Sequence, residues 1–154
     1  MKVERMKVLW VEDQEAVRNM LAIAADKAAR SRLPVDLVVA SSLLAAEDRL
    51  RLERFDLVVL DLVLADSMDA DMTVARVANM GLHRIAAVTD CQNRDEAVES
   101  AVRCGCNISK QAVSKAAVPF HRFVQRPEAF ADFLIEFMPG PDEVQTHKRR
   151  RRAA

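Results

Sequence analysis

Glu12 and Asp13 follow directly on a short apolar run, Val8 to Val11, and Asp61 closes another, the DLVVLD segment from Asp56 to Asp61. Thr89 closes a third, Ile85 to Thr89. Three carboxylates brought into one place repel each other and raise each other's pKa. A hard divalent cation relieves that repulsion. Mg²⁺ prefers oxygen ligands and keeps several waters, so a few carboxylates suffice to hold it. The backbone carbonyl of Val63, just past Asp61, is a further candidate oxygen ligand. The plainer use of the same residues is local, with Glu12 and Asp13 capping and charging the start of a helix and Asp61 lying in a loop. For any one position the plain use suffices, and the functional reading rests on the positions taken together.

The elements that must position these residues alternate. Val8 to Val11 reads as the first strand, and residues 14–30 as a helix with Val17, Met20, Leu21, Ala24 and Ala28 at helical spacing. Val35 to Ala40 reads as a second strand, followed by a helix that Ser41 or Ser42 can cap, with Leu43, Ala46 and Leu50 on one face. The continuous apolar character of DLVVLD suits a strand covered on both faces. Residues 70–80 form a third helix closed by Gly81, Ile85 to Thr89 a fourth strand, and residues 93–104 a fourth helix closed by Gly105. His121 to Gln125 is read as a fifth strand, and Pro127 as the first turn of a helix running to about Met138 with Phe130, Phe133, Leu134 and Phe137 in its apolar stripe.

This order predicts a doubly wound α/β fold, a five-stranded parallel sheet with helices on both faces. Right-handed crossovers bring every strand's carboxyl end to one edge, where such sheets bind ligands. Glu12, Asp13, Asp61 and Thr89 all fall on that edge. Residues 107–120 do not fit the alternation and are expected to be an insertion between the fourth helix and the fifth strand. The domain is expected over residues 1–138, with 139–154 a disordered basic tail.

Composition narrows the class. The chain has 154 residues, 51% apolar and 30% charged, in the range of a soluble globular domain. Lys plus Arg equals Asp plus Glu, so bulk charge selects neither nucleic acid nor membrane. Lys148 to Arg152 are all basic, which leaves the body net acidic. That short basic tail offers at best non-specific, salt-sensitive contacts to nucleic acid. Three cysteines, Cys91, Cys104 and Cys106, are an odd number and point to a reducing cytoplasm rather than a disulfide scaffold. Cys104 and Cys106 are too close and too isolated for a four-ligand zinc site. No signal peptide and no apolar run long enough to span a bilayer is seen.

Taken in order, KVLWVEDQ (Lys7 to Gln14), DLVVLDLVL (Asp56 to Leu64) and IAAVTD (Ile85 to Asp90) resemble the receiver domain of the two-component response-regulator family. The resemblance covers residues 6–106 and, more loosely, 121–138. It implies a flavodoxin-like, receiver-type fold and a phosphorylation switch. Asp61 would be the phosphoacceptor, charged by a histidine kinase, a phosphotransfer protein or a small phosphodonor. Glu12, Asp13, Asp61 and the Val63 carbonyl would hold Mg²⁺. Thr89 would bond the new phosphoryl oxygen, and Phe123 would be the aromatic residue that changes rotamer with it. A changed surface would then engage a downstream protein, or a second copy in a homodimer. The chain would act as a stand-alone receiver in the cytoplasm rather than as an enzyme with a substrate of its own.

The resemblance also calls for a lysine after the fifth strand, usually followed by proline. FVQRP (Phe123 to Pro127) matches with Arg126 in the lysine's place, and arginine is longer, planar and not equivalent. Counting from Thr89 points instead towards Lys110. Arg126 is favoured over Lys110 or Lys115 because a strand followed by Pro suits a helix start. LVLADSMDAD (Leu62 to Asp71) lacks the family's usual proline and glycine. Asp90 is expected to add negative charge beside an incoming phosphate. Val63 and Cys91 flank the position of the attacking water in the family and would guide it poorly, implying slow dephosphorylation. Two other readings stay open. One is a degenerate receiver, binding or dimerising without phosphorylation. The other is a Mg²⁺-dependent phosphohydrolase, which lacks a general acid beside Asp61.

Overall fold

The computed structural model describes residues 5–67 and 69–140. Four parallel strands, β1 (Met6–Val11), β2 (Val35–Ala40), β3 (Leu57–Leu60) and β4 (Arg84–Ala87), form one sheet in the order β2-β1-β3-β4. Each is followed by a helix: α1 (Glu15–Arg30), α2 (Leu43–Leu52), α3 (Ala70–Ala78) and α4 (Arg94–Arg103). Two further helices, α5 (Phe120–Gln125) and α6 (Pro127–Ile135), end the described chain. Among the described residues no helix is long and apolar enough to cross a membrane.

β3 and β4 are buried throughout and β1 from Val8 onward, and their period of two sends alternate side chains to different cores. Leu9 and Val11 of β1, Val58 and Leu60 of β3, and Ile85 and Ala87 of β4 pack into one core beneath α2, α3 and α4. Val8 and Trp10, Leu57 and Val59, and Ala86 pack into the other, against Leu21, Ala24 and Ala28 of α1 and Phe120, Phe123 and Phe130 of α5 and α6. Two helix starts, those of α2 and α3, are capped by short polar side chains. Ser42 accepts from the Ala45 amide and Asp69 from the Met72 amide, each satisfying a donor that the first turn leaves free. Gly105 follows α4 at φ +82°, a conformation that side chains rarely adopt.

The end of the chain departs from the sequence expectation. Residues 121–125 are not a strand but lie within α5. Phe120 and Phe123 are three apart and both buried, which is helical spacing. The edge beside β4 is taken instead by residues 107–113, expected to be an insertion. Ile108 pairs in parallel with Ile85, and Val113 with Val88. The Ile85 amide donates to the Asn107 carbonyl at 2.8 Å, and the Val113 amide to the Ala87 carbonyl at 2.9 Å. Between the two bridges the apolar run is broken at Lys110 and Gln111, both exposed. The sheet therefore has four strands and an interrupted fifth edge rather than five full strands. The expected tail falls almost wholly on residues 141–154, outside the described residues.

Candidate functional site

Strand register builds the site. Val11 pairs with Leu60 in the β1–β3 ladder, and Leu60 with Ala87 in the β3–β4 ladder. The next residues out are Glu12 and Asp61, with Thr89 one step further along the third path. The backbone stays paired past the strand ends. The Glu12 amide donates to the Ala40 carbonyl at 2.9 Å and the Val88 amide to the Leu60 carbonyl at 3.0 Å. The three chemical groups are thus delivered by hydrogen-bonded ends of the sheet.

Their side chains meet. The Thr89 hydroxyl donates to Asp61 Oδ1 at 2.8 Å, and the Val63 amide donates to the same oxygen at 3.0 Å. The Cys91 amide donates in turn to the Thr89 hydroxyl at 3.2 Å. Glu12 Oε1 accepts from the Gln14 amide at 2.9 Å. Glu12 is 1% exposed and Asp61 5%, so neither carboxylate is well solvated. Among the described residues one ammonium answers them. Lys115 Nζ lies 2.6 Å from Glu12 Oε1 and 3.4 Å from Asp61 Oδ2, with its side chain 10% exposed.

Burial raises the pKa of Glu12, and the bond to Lys115 pulls the other way without cancelling it. Burial also works against the Lys115 charge. The bond to Glu12 and the charges of Glu12 and Asp61 outweigh it and hold the ammonium's pKa above its ordinary value. Glu12, Asp13 and Asp61 each offer a carboxylate oxygen within 4.8 Å of the others. Among the described residues, three carboxylates against a single ammonium leave a net negative, all-oxygen donor set, which fits a hard divalent cation such as Mg²⁺. Asp13 is only half-buried and the Val63 side chain is exposed, so one side of the cluster opens to solvent.

The structure thus unites Glu12, Asp13, Asp61 and Thr89, and places the Val63 backbone beside Asp61. It corrects the cation. Arg126 is exposed at the joint between α5 and α6, and Lys110 is exposed on the broken edge. The cation at the carboxylates is Lys115, the one set aside in the sequence reading. It is legible once 107–113 is taken as the fifth path of the sheet. Lys115 then stands two residues beyond Val113, as Thr89 stands two beyond Ala87, the last residue of β4. Phe123 is also repositioned. It is 1% exposed on a helix, with ring centroids of Phe120, Phe130 and Phe133 at 6.1, 5.4 and 5.1 Å, so it is a core residue rather than a strand-edge aromatic. Asp90 is engaged by its neighbours across the loop. Its Oδ1 accepts from the Ser114 hydroxyl at 3.2 Å and the Ala116 amide at 3.1 Å.

No protein-family model and no curated protein matches the chain. Solved structures do. The chain is similar to CheY4, a chemotaxis protein of Vibrio cholerae, at 19% identity and a TM-score of 0.59, over 87% of this chain and 99% of that one. It is similar to a CheY-like response regulator receiver domain protein of Methanospirillum hungatei at 15% identity and a TM-score of 0.59, over 86% and 98%. It is also similar to the receiver domain of the putative response regulator NarL of Mycobacterium tuberculosis at 18% identity and a TM-score of 0.58, over 84% and 98%. The chain has the fold of response-regulator receiver domains.

Proposed function

We propose that this chain is a phosphorylation-operated receiver in which Asp61 accepts a phosphoryl group from a histidine kinase or a phosphotransfer protein. The observation that carries the reading is the convergence on one sheet edge of Asp61, the acidic pair Glu12–Asp13, the Thr89 hydroxyl and the Lys115 ammonium. Phosphoryl transfer asks a protein for positioning and charge neutralisation more than for covalent chemistry, and this set offers both. A carboxylate oxygen of Asp61 forms the new P–O bond while the donor's P–N or P–O bond breaks and the electron pair leaves with the donor. Lys115 sits where it can neutralise charge on the transferred group. Thr89 holds Asp61 beforehand and can pass its hydroxyl to a phosphoryl oxygen afterwards. Mg²⁺ held by Glu12, Asp13, Asp61 and the Val63 carbonyl would supply charge neutralisation at the phosphoryl oxygens.

The output would be a protein surface rather than a turned-over substrate. Thr89 and Lys115 share backbone hydrogen bonds with each other's segments, so a shift of Thr89 reaches the edge formed by 107–113. A downstream protein or a second copy reading that edge would sense phosphorylation. The Lys115 ammonium at the carboxylates and the pairing of residues 107–113 beside β4 support this reading over a phosphorylation-independent module.

Calorimetric titration with Mg²⁺, followed by beryllofluoride as a phosphoryl mimic, tests the reading. Saturable Mg²⁺ binding and Mg²⁺-dependent beryllofluoride binding, the latter abolished in Asp61→Asn, are expected. Mg²⁺ binding with no beryllofluoride binding would leave a metal-holding, phosphorylation-independent module.

A further inference from the structure

Lys115 has no regular element to hold it. It lies in a three-residue 3-10 turn, Lys115–Ala117, preceded by Ser114, whose side chain makes no capping bond within the turn. What fixes this turn comes from across the loop. The Thr89 amide donates to the Val113 carbonyl at 2.9 Å, and the Lys115 amide donates to the Thr89 carbonyl at 3.3 Å. The Asp90 carboxylate then takes the Ser114 hydroxyl and the Ala116 amide, the residues on either side of Lys115. One oxygen of Asp90 therefore brackets the lysine whose ammonium reaches Glu12 and Asp61.

We propose that Asp90 is a positioning residue that sets the Lys115 turn and latches it to the Thr89 loop, so that the hydroxyl and the ammonium of the site move as one unit. This rests on the receiver reading for its consequence and on the hydrogen bonds alone for its geometry. A carboxylate beside Thr89 acting on phosphate through its charge would be purely repulsive. Here its oxygen is occupied as an acceptor, and its effect is transmitted through Lys115. Acceptor geometry and charge separate cleanly in Asp90→Asn, which keeps an oxygen for Ser114 and Ala116 and loses the negative charge. Asp90→Ala loses both.

The test measures beryllofluoride affinity by calorimetry in the presence of Mg²⁺ for wild type, Asp90→Asn, Asp90→Ala, Lys115→Met and the Asp90→Ala/Lys115→Met pair, each shown folded by its thermal melt. Asp90→Ala is expected to weaken binding about three- to tenfold, the size of one or two exposed hydrogen bonds. Asp90→Asn stays near wild type, and Asp90→Ala has no further effect once Lys115 is gone. Tighter binding in both Asp90 variants, or an undiminished loss without Lys115, would overturn the proposal. A second readout needs no phosphoryl mimic. In the free protein the Lys115 ammonium resonance and the Ala116 amide should be protected from exchange in wild type and Asp90→Asn, and lose protection in Asp90→Ala. If wild type binds no beryllofluoride, the receiver reading fails and this exchange measurement alone decides. Equal protection in all three proteins would then overturn the role of Asp90.

Discussion

At the scale of the residue, the identity of the cation beside Glu12 and Asp61 is the sharpest point. Lys115→Met should weaken beryllofluoride binding by about tenfold or more, since it removes a charge-assisted contact. Arg126→Met should leave it unchanged, and calorimetry on the two variants distinguishes them. Glu12, Asp13, Asp61 and Thr89 were legible in the sequence because each ends an apolar run, and a run's end is visible without knowing the fold. Lys115 was not, because its strand is broken and the FVQRP motif offered a better-looking cation. Thr89→Val should retain Asp61 phosphorylation while the backbone resonances of residues 113–116 no longer shift with it. A second titratable group lies away from the site. His83 is 7% exposed, with Nε2 2.9 Å from the Val77 carbonyl. Burial lowers its pKa below 6.5, against the hydrogen bond that raises it. On acidification the unfolded chain protonates His83 first, so stability is flat above 6.5 and falls as pH drops below it. Melting temperatures followed from about pH 7.5 to 5 should show a shallower acid limb in His83→Gln.

At the scale of the element, local signals succeeded where one segment carried its own instructions. The second strand, Val35–Ala40, is found as read, and of the two serines offered as the cap of α2 it is Ser42 that serves. They missed what a distant residue supplies. Asp66 lies in the loop after β3, yet its two carboxylate oxygens accept from the Leu43 and Leu44 amides at 3.0 Å each. Its slight burial would raise its pKa, but the two amides outweigh this and hold it below the usual carboxylate value. It ties the loop carrying Asp61 to the start of α2. Asp66→Ala should cost about 1 kcal/mol, the worth of a helix cap, measured by urea denaturation. The α5 segment was misread because HRFVQ is short and β-rich in composition, and only the burial of Phe120 with Phe123 against α1 reveals its period. Phe123→Ala should destabilise by about 3–5 kcal/mol, as expected for a buried aromatic. A variant that instead kept full stability would show that Phe123 is not core.

At the scale of the whole molecule, the doubly wound architecture was legible because four apolar runs alternate with amphipathic helices, and such a pattern closes in few ways. The last path was not, since residues 107–113 pair with β4 at Ile85 and with Val88 just past it through two separate bridges, and lack a strand's continuous apolar run. The consequence for function is large. With residues 107–113 on the sheet edge, Glu12, Asp13, Asp61, Thr89 and Lys115, from four separate parts of the chain, converge on one site, and the fold alone does not require those residue types there. Mg²⁺ binding to the native state should raise the melting temperature with the logarithm of ligand excess, and Asp13→Asn should reduce that rise.

The most direct test is intact-mass measurement after incubation with acetyl phosphate and Mg²⁺, on wild type, Asp61→Asn and Lys115→Met. The account predicts one added phosphoryl group in wild type, none in Asp61→Asn, and a reduced yield in Lys115→Met. No gain in wild type under conditions where Mg²⁺ binds, or an equal gain in Asp61→Asn, would contradict the assignment of Asp61 as the phosphoacceptor.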